Sequence, residues 1–107
     1  MTELKELIKQ LRNVVSFSGF MVEALEAQKT YVMMELKSKS RFRKRNYHVA
    51  LSSSLTGLLT AERELSRKFK NNIIILDPIN HLELPTFQNV QLFHDLDQLQ
   101  GFLNNSK

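Results

Sequence analysis

The chain has 107 residues, 42% of them hydrophobic and 24% charged, with a formal net charge of +4 and no cysteine. This length predicts one domain over residues 1–107, and the composition excludes a disordered chain. The absence of cysteine excludes disulfides and thiolate metal sites. The chain lacks an apolar run of about 20 residues, and its first residues are acidic, so we expect a cytoplasmic protein outside the membrane.

The first half of the chain begins with an amphipathic helix and continues into a segment that two structures fit. Residues 2–15 carry apolar side chains at helical spacing. Gly19 and neighbouring serines then interrupt the pattern, and residues 14–53 fit either a long helix or a short helix followed by strands. Residues 30–53 alternate with period two on both sides of residues 43–46, which favours a β-hairpin.

The second half predicts a helix over residues 54–70 and then two short strands. Four consecutive apolar residues at 73–76 predict a strand buried on both faces, and residues 90–93 predict an edge strand. Asp95 is the expected N-cap of a last helix, with Gln98 at the capping-box position. The apolar stripe of the 54–70 helix is Leu55, Leu58, Leu59, Leu65 and Phe69.

Together these segments predict an α+β domain. Its expected order is an N-terminal helix, a basic β-hairpin or meander, an amphipathic helix, a buried strand, an edge strand and a C-terminal helix. The alternative is a mainly α chain, in which a long helical hairpin precedes a small β/α tail.

Positive charge is concentrated in one segment, Lys37 to Arg45, which holds six basic residues within nine positions. In an extended ribbon the alternate side chains from Lys37 to Arg43 lie on one face, where they neutralise successive phosphates of DNA or RNA. Aromatic side chains between them stack on bases. Lysines that only protect a sheet edge are the alternative explanation. The predicted nucleic-acid-binding residues are Lys37, Lys39, Arg41, Phe42, Arg43, Lys44, Arg45 and Tyr47.

A second candidate site is the sequence Glu35-Leu36-Lys37 at the end of an apolar strand. One intervening residue places the acid and the lysine on the same face of a strand. There the carboxylate holds Mg²⁺ and the lysine stabilises charge at phosphorus, so Glu35 and Lys37 are the candidate catalytic residues. A further acid is required upstream, which makes Glu23, Glu26 and Glu35 the candidate metal ligands.

With this motif the chain resembles the restriction-endonuclease-like PD-(D/E)xK superfamily, and especially its nuclease-related (NERD) branch. The resemblance covers residues 4–104 and implies a helix, a strand with an acid, a strand ending in acid-x-Lys, a helix and further strands. It implies that Glu35 is a metal ligand, that Lys37 is the catalytic lysine, and that Glu23 or Glu26 replaces the family aspartate. Because no aspartate stands upstream, the resemblance implies a degenerate member that kept nucleic-acid binding.

Three functions are therefore considered. The first is a small nucleic-acid-binding or accessory protein, of bacterial or phage type, that works without a cofactor. The second is a Mg²⁺-dependent nuclease-like domain centred on Glu35 and Lys37. The third is a protein–protein adaptor, in which the basic segment meets an acidic partner or the chain forms a homodimer. The sequence favours a binding protein over an enzyme.

Overall fold

A computed structural model describes residues 2–28, 30–42 and 45–105. These residues form three helices and five strands, which is the α+β organisation that the sequence predicts. In chain order the elements are α1 (Thr2–Phe17), β1 (Phe20–Ala27), β2 (Val32–Ser38), β3 (Asn46–Leu51), α2 (Leu55–Lys68), β4 (Ile73–Leu76), β5 (Val90–Phe93) and α3 (Leu96–Asn105). No helix within the described ranges is long and apolar enough to cross a bilayer.

The junction of α1 and β1 shows that the long-helix alternative is wrong. Gly19 has a φ of 84°, a conformation that ends a helix and that glycine adopts without strain. The N–H groups of Ser18 and Gly19 bond back to the carbonyls of Val15 and Ser16, which closes the last turn of α1. The β-branched and aromatic residues that follow favour a strand.

The five strands form one mixed sheet in chain order, β1-β2-β3-β4-β5. The strands β1, β2 and β3 form an antiparallel meander, whereas β3, β4 and β5 run parallel. Parallel neighbours require a crossover, which α2 provides between β3 and β4 and residues 77–89 provide between β4 and β5. We call the side where β3, β4 and β5 begin the amino end of the sheet, and the opposite side the carboxyl end.

Two hydrophobic clusters hold the helices on opposite faces of the sheet. One joins α1 and α3 to the sheet, and the other joins α2 and residues 77–89 to it. The strand β4 contributes to both, and its four side chains are fully buried, which confirms the sequence prediction.

The stripe predicted for α2 is only partly correct. Leu58 and Leu65 face the sheet, but Leu55 and Leu59 are 41% and 43% exposed. The buried side of α2 is centred on Leu58, Ala61 and Leu65, which turns positions 55 and 59 toward its flank.

The N-terminus of α3 confirms the predicted cap. Asp95 Oδ1 accepts a hydrogen bond of 2.9 Å from the N–H of Gln98. The Gln98 side chain in turn accepts from the N–H of His94, one residue before the cap. This reciprocal pair satisfies one N–H group in the first turn of α3 and the N–H of the residue before the cap.

Candidate functional site

The basic segment lies mostly in the loop between β2 and β3, at the amino end of the sheet. The hairpin itself is confirmed, but β2 ends at Ser38 and β3 begins at Asn46, so the predicted one-face ribbon is wrong beyond Lys37. The N–H of Ser38 bonds to the carbonyl of Arg45 and closes the hairpin. The alternation stops at this bond, and the next side chains follow the path of the loop.

The side chains of Lys37 and Lys39 lie on opposite faces of the molecule. Lys37 shares its face with Met33, which packs against the α2 cluster. Lys39 instead donates from Nζ to Ser16 Oγ at 3.0 Å, and its N–H bonds to the carbonyl of Gly19 at 2.8 Å. These bonds attach the loop to the end of α1.

Two phenylalanine side chains are exposed at this end of the molecule. Phe42 in the loop is 95% exposed, and Phe17 at the end of α1 is 82% exposed. Tyr47, the other residue predicted to stack on bases, is buried between Phe20 and Phe102, with ring centroids at 5.8 and 5.5 Å. The prediction for Tyr47 is wrong because the β3 alternation turns it into the core.

The fold adds basic residues that the sequence analysis missed. The helix α2 runs toward the amino end of the sheet, so Arg67, Lys68 and Lys70, in and after its last turn, lie toward that end. Lys68 also lines a small pocket together with Glu64 and Tyr31. The signal of these basic residues in the sequence is weak, since basic residues in a last helical turn ordinarily stabilise the helix dipole. The described segments that meet at this end are residues 16–22, 38–42, 45–46, 66–73, 87–91 and 102–105, and none of them contains Asp or Glu.

We call this surface the basic end, and define it by Lys39, Arg41, Phe42 and Arg45 of the loop together with Phe17, Arg67, Lys68 and Lys70. No described acid forms an ion pair with Lys39, Arg41 or Arg45. The other two predicted binding residues, Arg43 and Lys44, lie outside the described residues.

Arg45 also lines a pocket of about 310 Å³ at the same end. Five of its lining side chains are carboxamides, and two are aromatic. The lining residues are Arg45, Tyr47, Asn71, Asn72, Gln88, Asn89, Gln91 and Phe102. We call this the carboxamide pocket. It unites four separate segments of the chain, and for this reason no local motif predicts it.

The acid-x-Lys motif forms a compact charged group on the α2 face of the sheet. The strand register places Glu23 opposite Glu35, and Glu35 opposite His48, in one row across β1, β2 and β3. Lys37 Nζ lies 2.9 Å from Glu23 Oε2 and 3.9 Å from Glu35 Oε1. The hydrogen bond and charge of Glu23, and then the charge of Glu35, raise the pKa of Lys37. The structure thus brings Glu23, Glu35 and Lys37 together.

Glu26, the other candidate upstream ligand, is not paired opposite Glu35. The register shifts between Glu23 and Glu26, where Ala24 has a φ of 51°, and Glu26 pairs opposite Met33. Within the described ranges no group of three His, Cys, Asp or Glu side chains is arranged to hold a metal ion. Glu23 and Glu35 therefore offer at most part of a magnesium site. The ammonium group of Lys37 lies between their carboxylates.

His48 joins the row but was not among the predicted site residues. Its ring stacks on Phe69 with centroids 3.5 Å apart and planes 5° from parallel. Burial lowers the pKa of His48, and the charge of Glu35 opposes that effect. A sequence signal existed in the alternation of β3, which places His48 on the face opposite Tyr47.

A second pocket, of about 600 Å³, lies at the carboxyl end of the sheet between α1 and α3. His94 lines it, and His94 Nδ1 is 3.4 Å from Oδ2 of the fully buried Asp77. The same Oδ2 accepts a hydrogen bond of 2.8 Å from the N–H of Leu82. Asp77 thereby connects the ends of β4 and β5 with the crossover segment between them.

Comparison with protein-family models, with curated proteins and with solved structures returns no match for this chain.

Proposed function

We propose that this protein binds nucleic acid through its basic end. The observation that carries the proposal is the exposure of Phe42 and Phe17 next to Lys39, Arg41 and Arg45. Exposed aromatic rings between cations are the combination that stacks on bases and neutralises phosphates.

The distribution of charge supports the same function. Basic residues from α2 and from the β2–β3 loop collect at the basic end, whereas Asp77, Asp95 and Asp97 lie at the carboxyl end of the sheet. A field separated in this way attracts a polyanion to one end of the molecule and orients it there. Edge protection by lysines requires neither the exposed rings nor the added charges of α2.

The test is a salt titration of binding to a labelled oligonucleotide, followed by fluorescence anisotropy. We expect the affinity of the native chain to fall steeply as salt rises. The double variant Lys39→Ala, Arg41→Ala loses up to two phosphate contacts, which reduces the salt slope by about 0.7 to 0.9 for each contact.

The matched control is Lys5→Ala, Lys9→Ala, which removes the same charge from the exposed side of α1 away from the basic end. This control is expected to leave the slope near that of the native chain. Absence of binding at low salt, or an equal effect of both double variants, would contradict the proposal.

We also propose a second candidate function, a Mg²⁺-dependent nuclease-like activity at Glu23, Glu35 and Lys37. The specific observation in its favour is the contact of Lys37 with both carboxylates across two paired strands. Magnesium is commonly held by one or two carboxylates together with substrate phosphates, so two acids suffice for that role. One departure counts against it: β3 stands between the acid-x-Lys strand and α2, an extra strand in the order that the PD-(D/E)xK resemblance implies.

Cleavage of labelled DNA and RNA with Mg²⁺ or with a chelator tests this second function. Activity that requires Mg²⁺ and disappears in Glu35→Gln, while Glu26→Gln retains it, would support a nuclease. Glu26 is the matched control because it lies on β1 beyond the bulge. If the native chain cleaves neither substrate, the nuclease-like function is excluded and the binding function still stands.

A further inference from the structure

We infer that the carboxamide pocket receives one unpaired base of a single-stranded nucleic acid whose phosphates lie on the basic end. This inference rests on the proposed function, and it adds the form of the ligand and the site that recognises it.

The chemistry of the lining suits an uncharged, hydrogen-bonding ring. Carboxamides carry donors and an acceptor side by side, and Asn or Gln pairs in this way with the edge of adenine. Among the described residues that line the pocket there are five carboxamides and no carboxylate. A cationic ligand would find no counter-charge there, whereas a base edge finds several partners.

One carboxamide is already held in place by the protein. Asn89 Nδ2 donates to the carbonyl of Phe69 at 3.2 Å and is 3.5 Å from that of Ser66. These bonds fix the orientation of the amide and leave its oxygen as the acceptor. A fixed acceptor costs less entropy on binding than a mobile one.

Of the two aromatic residues at the pocket, Phe102 supplies the surface for stacking, since Tyr47 is buried. Phe102 is half-buried at the pocket and packs edge-on against Tyr47, with planes 71° apart. The π-face of any base stacks on such a ring. The volume of about 310 Å³ lies at the small end of the range for ligand pockets, about 300–1,000 Å³, as a single base requires.

Arg45 connects the pocket to the basic end. Arg45 is one of the residues that line the pocket, and its carbonyl accepts the hairpin-closing bond from Ser38. A nucleic-acid strand bound to the β2–β3 loop would therefore lie next to the pocket, because Arg45 belongs to both. Only an unpaired base can enter, because a base in a duplex is stacked and paired.

The experiment compares labelled oligo(dA) with an oligo(dA)–oligo(dT) duplex of the same length, at one low salt concentration. We expect the native chain to bind the single strand at least tenfold more tightly than the duplex. Gln91→Leu keeps the volume but loses the hydrogen bonds, and should weaken single-strand binding about tenfold without changing duplex binding. Its salt slope should equal that of the native chain, because no phosphate contact is removed.

Gln88→Ala provides a second variant, outside any helix or strand, in case Gln91→Leu disturbs the fold of β5. Gln10→Leu is the matched control, since Gln10 is an exposed carboxamide on α1 and does not line this pocket. Equal affinity of the native chain for single strand and duplex would overturn the inference. So would pocket variants that bind the single strand as the native chain does.

The two proposals fail in different ways. If the Lys39→Ala, Arg41→Ala variant flattens the salt dependence while the pocket variants change nothing, nucleic-acid binding stands and the base site is wrong. If the native chain binds neither oligonucleotide, the proposed function fails, and this inference fails with it.

Discussion

Residues of one type have different structural roles at different positions of this chain, as two of its glycines show. A Cβ atom on Gly57 would collide with Ser52 Oγ and with the carbonyl oxygen of Thr30. A Cβ on Gly101, in α3, would meet no atom within 4 Å. Gly57 thus allows the start of α2 to approach the segments just before β2 and just after β3 closely, while Gly101 has no such role.

We therefore predict opposite effects for the two alanine substitutions. Gly57→Ala forces backbone to move and should lower the free energy of unfolding by about 1–3 kcal/mol. Gly101→Ala improves helix propensity and should raise that free energy by as much as about 1 kcal/mol. Urea unfolding of both variants measures the difference. Similar midpoints for the two would contradict the packing of Gly57 described above.

A second prediction at the residue scale concerns His48. Because the charge of Glu35 raises the pKa of His48 against the effect of burial, Glu35→Gln should lower that pKa further. Titration of the ring by NMR measures it, with Glu26→Gln as the control expected to leave the pKa unchanged. Burial in the folded protein lowers the pKa of His48 below the ordinary histidine value of 6.5, which favours the neutral ring. Its contribution to stability is present above pH 6.5 and decreases as the pH falls toward the folded pKa.

At the scale of elements, the crossover segment between β4 and β5 is held by a buried acid. Glu62 of α2 is 1% exposed, and its carboxylate accepts from the N–H of Thr86 at 2.7 Å and lies 3.2 Å from Thr86 Oγ1. This charge-assisted pair attaches residues 77–89 to α2.

Glu62→Ala should therefore loosen that segment and lower the free energy of unfolding by about 1.5–3 kcal/mol, since the Thr86 N–H loses its hydrogen bond to a charged group. Hydrogen exchange at the Thr86 amide should accelerate in the variant. Glu64→Ala is a control for the loss of an acid from α2. Its carboxylate accepts a hydrogen bond from the hydroxyl of Tyr31, just before β2, and does not contact the crossover segment. An unchanged exchange rate at Thr86 in Glu62→Ala would show that the contact is not the attachment.

The elements themselves differed in how well local sequence specified them. The run at 73–76, the strand at 90–93 and the cap at Asp95 follow from residues that act on their immediate neighbours, and each was predicted correctly. The buried side of α2 was not, because Leu55 and Leu59 continue an apolar stripe as well as Leu58 does. Which of them faces the sheet depends on how α2 docks, and Gly57 is part of that docking.

On the scale of the whole molecule, protection should decrease from the centre of the sheet to its edge. The strand β4 has partners on both sides and four fully buried side chains, whereas β1 is paired only with β2 and is largely exposed. We predict that native-state hydrogen exchange is slowest in β4 and faster by orders of magnitude in β1. Protection of β1 from hydrogen exchange equal to that of β4, at every protein concentration, would contradict this prediction. It would indicate that another strand pairs with the free edge of β1.

The separation of charge also belongs to this scale. The sequence placed six basic residues between Lys37 and Arg45, but it also suggested one continuous ribbon. In the structure Lys37 forms an ion pair with acids on the α2 face of the sheet. Further basic residues come instead from the last turn of α2. The basic end is thus a product of strand and helix direction.

By itself the sequence determined the buried strand, the cap at Asp95, the concentration of positive charge and the meeting of Glu35 with Lys37, and it favoured the α+β class over a mainly α alternative. These depend on neighbours within a few positions, where period-two alternation and capping act. Only the tertiary structure decided that Tyr47 is buried while Phe42 is exposed, that Glu23 and not Glu26 faces Glu35, and that five carboxamides meet at Arg45. The reason is physical. Strand register, the bulge in β1 and the direction of the crossovers bring together residues that are far apart in the chain. A pattern within a few neighbouring residues does not specify these long-range contacts.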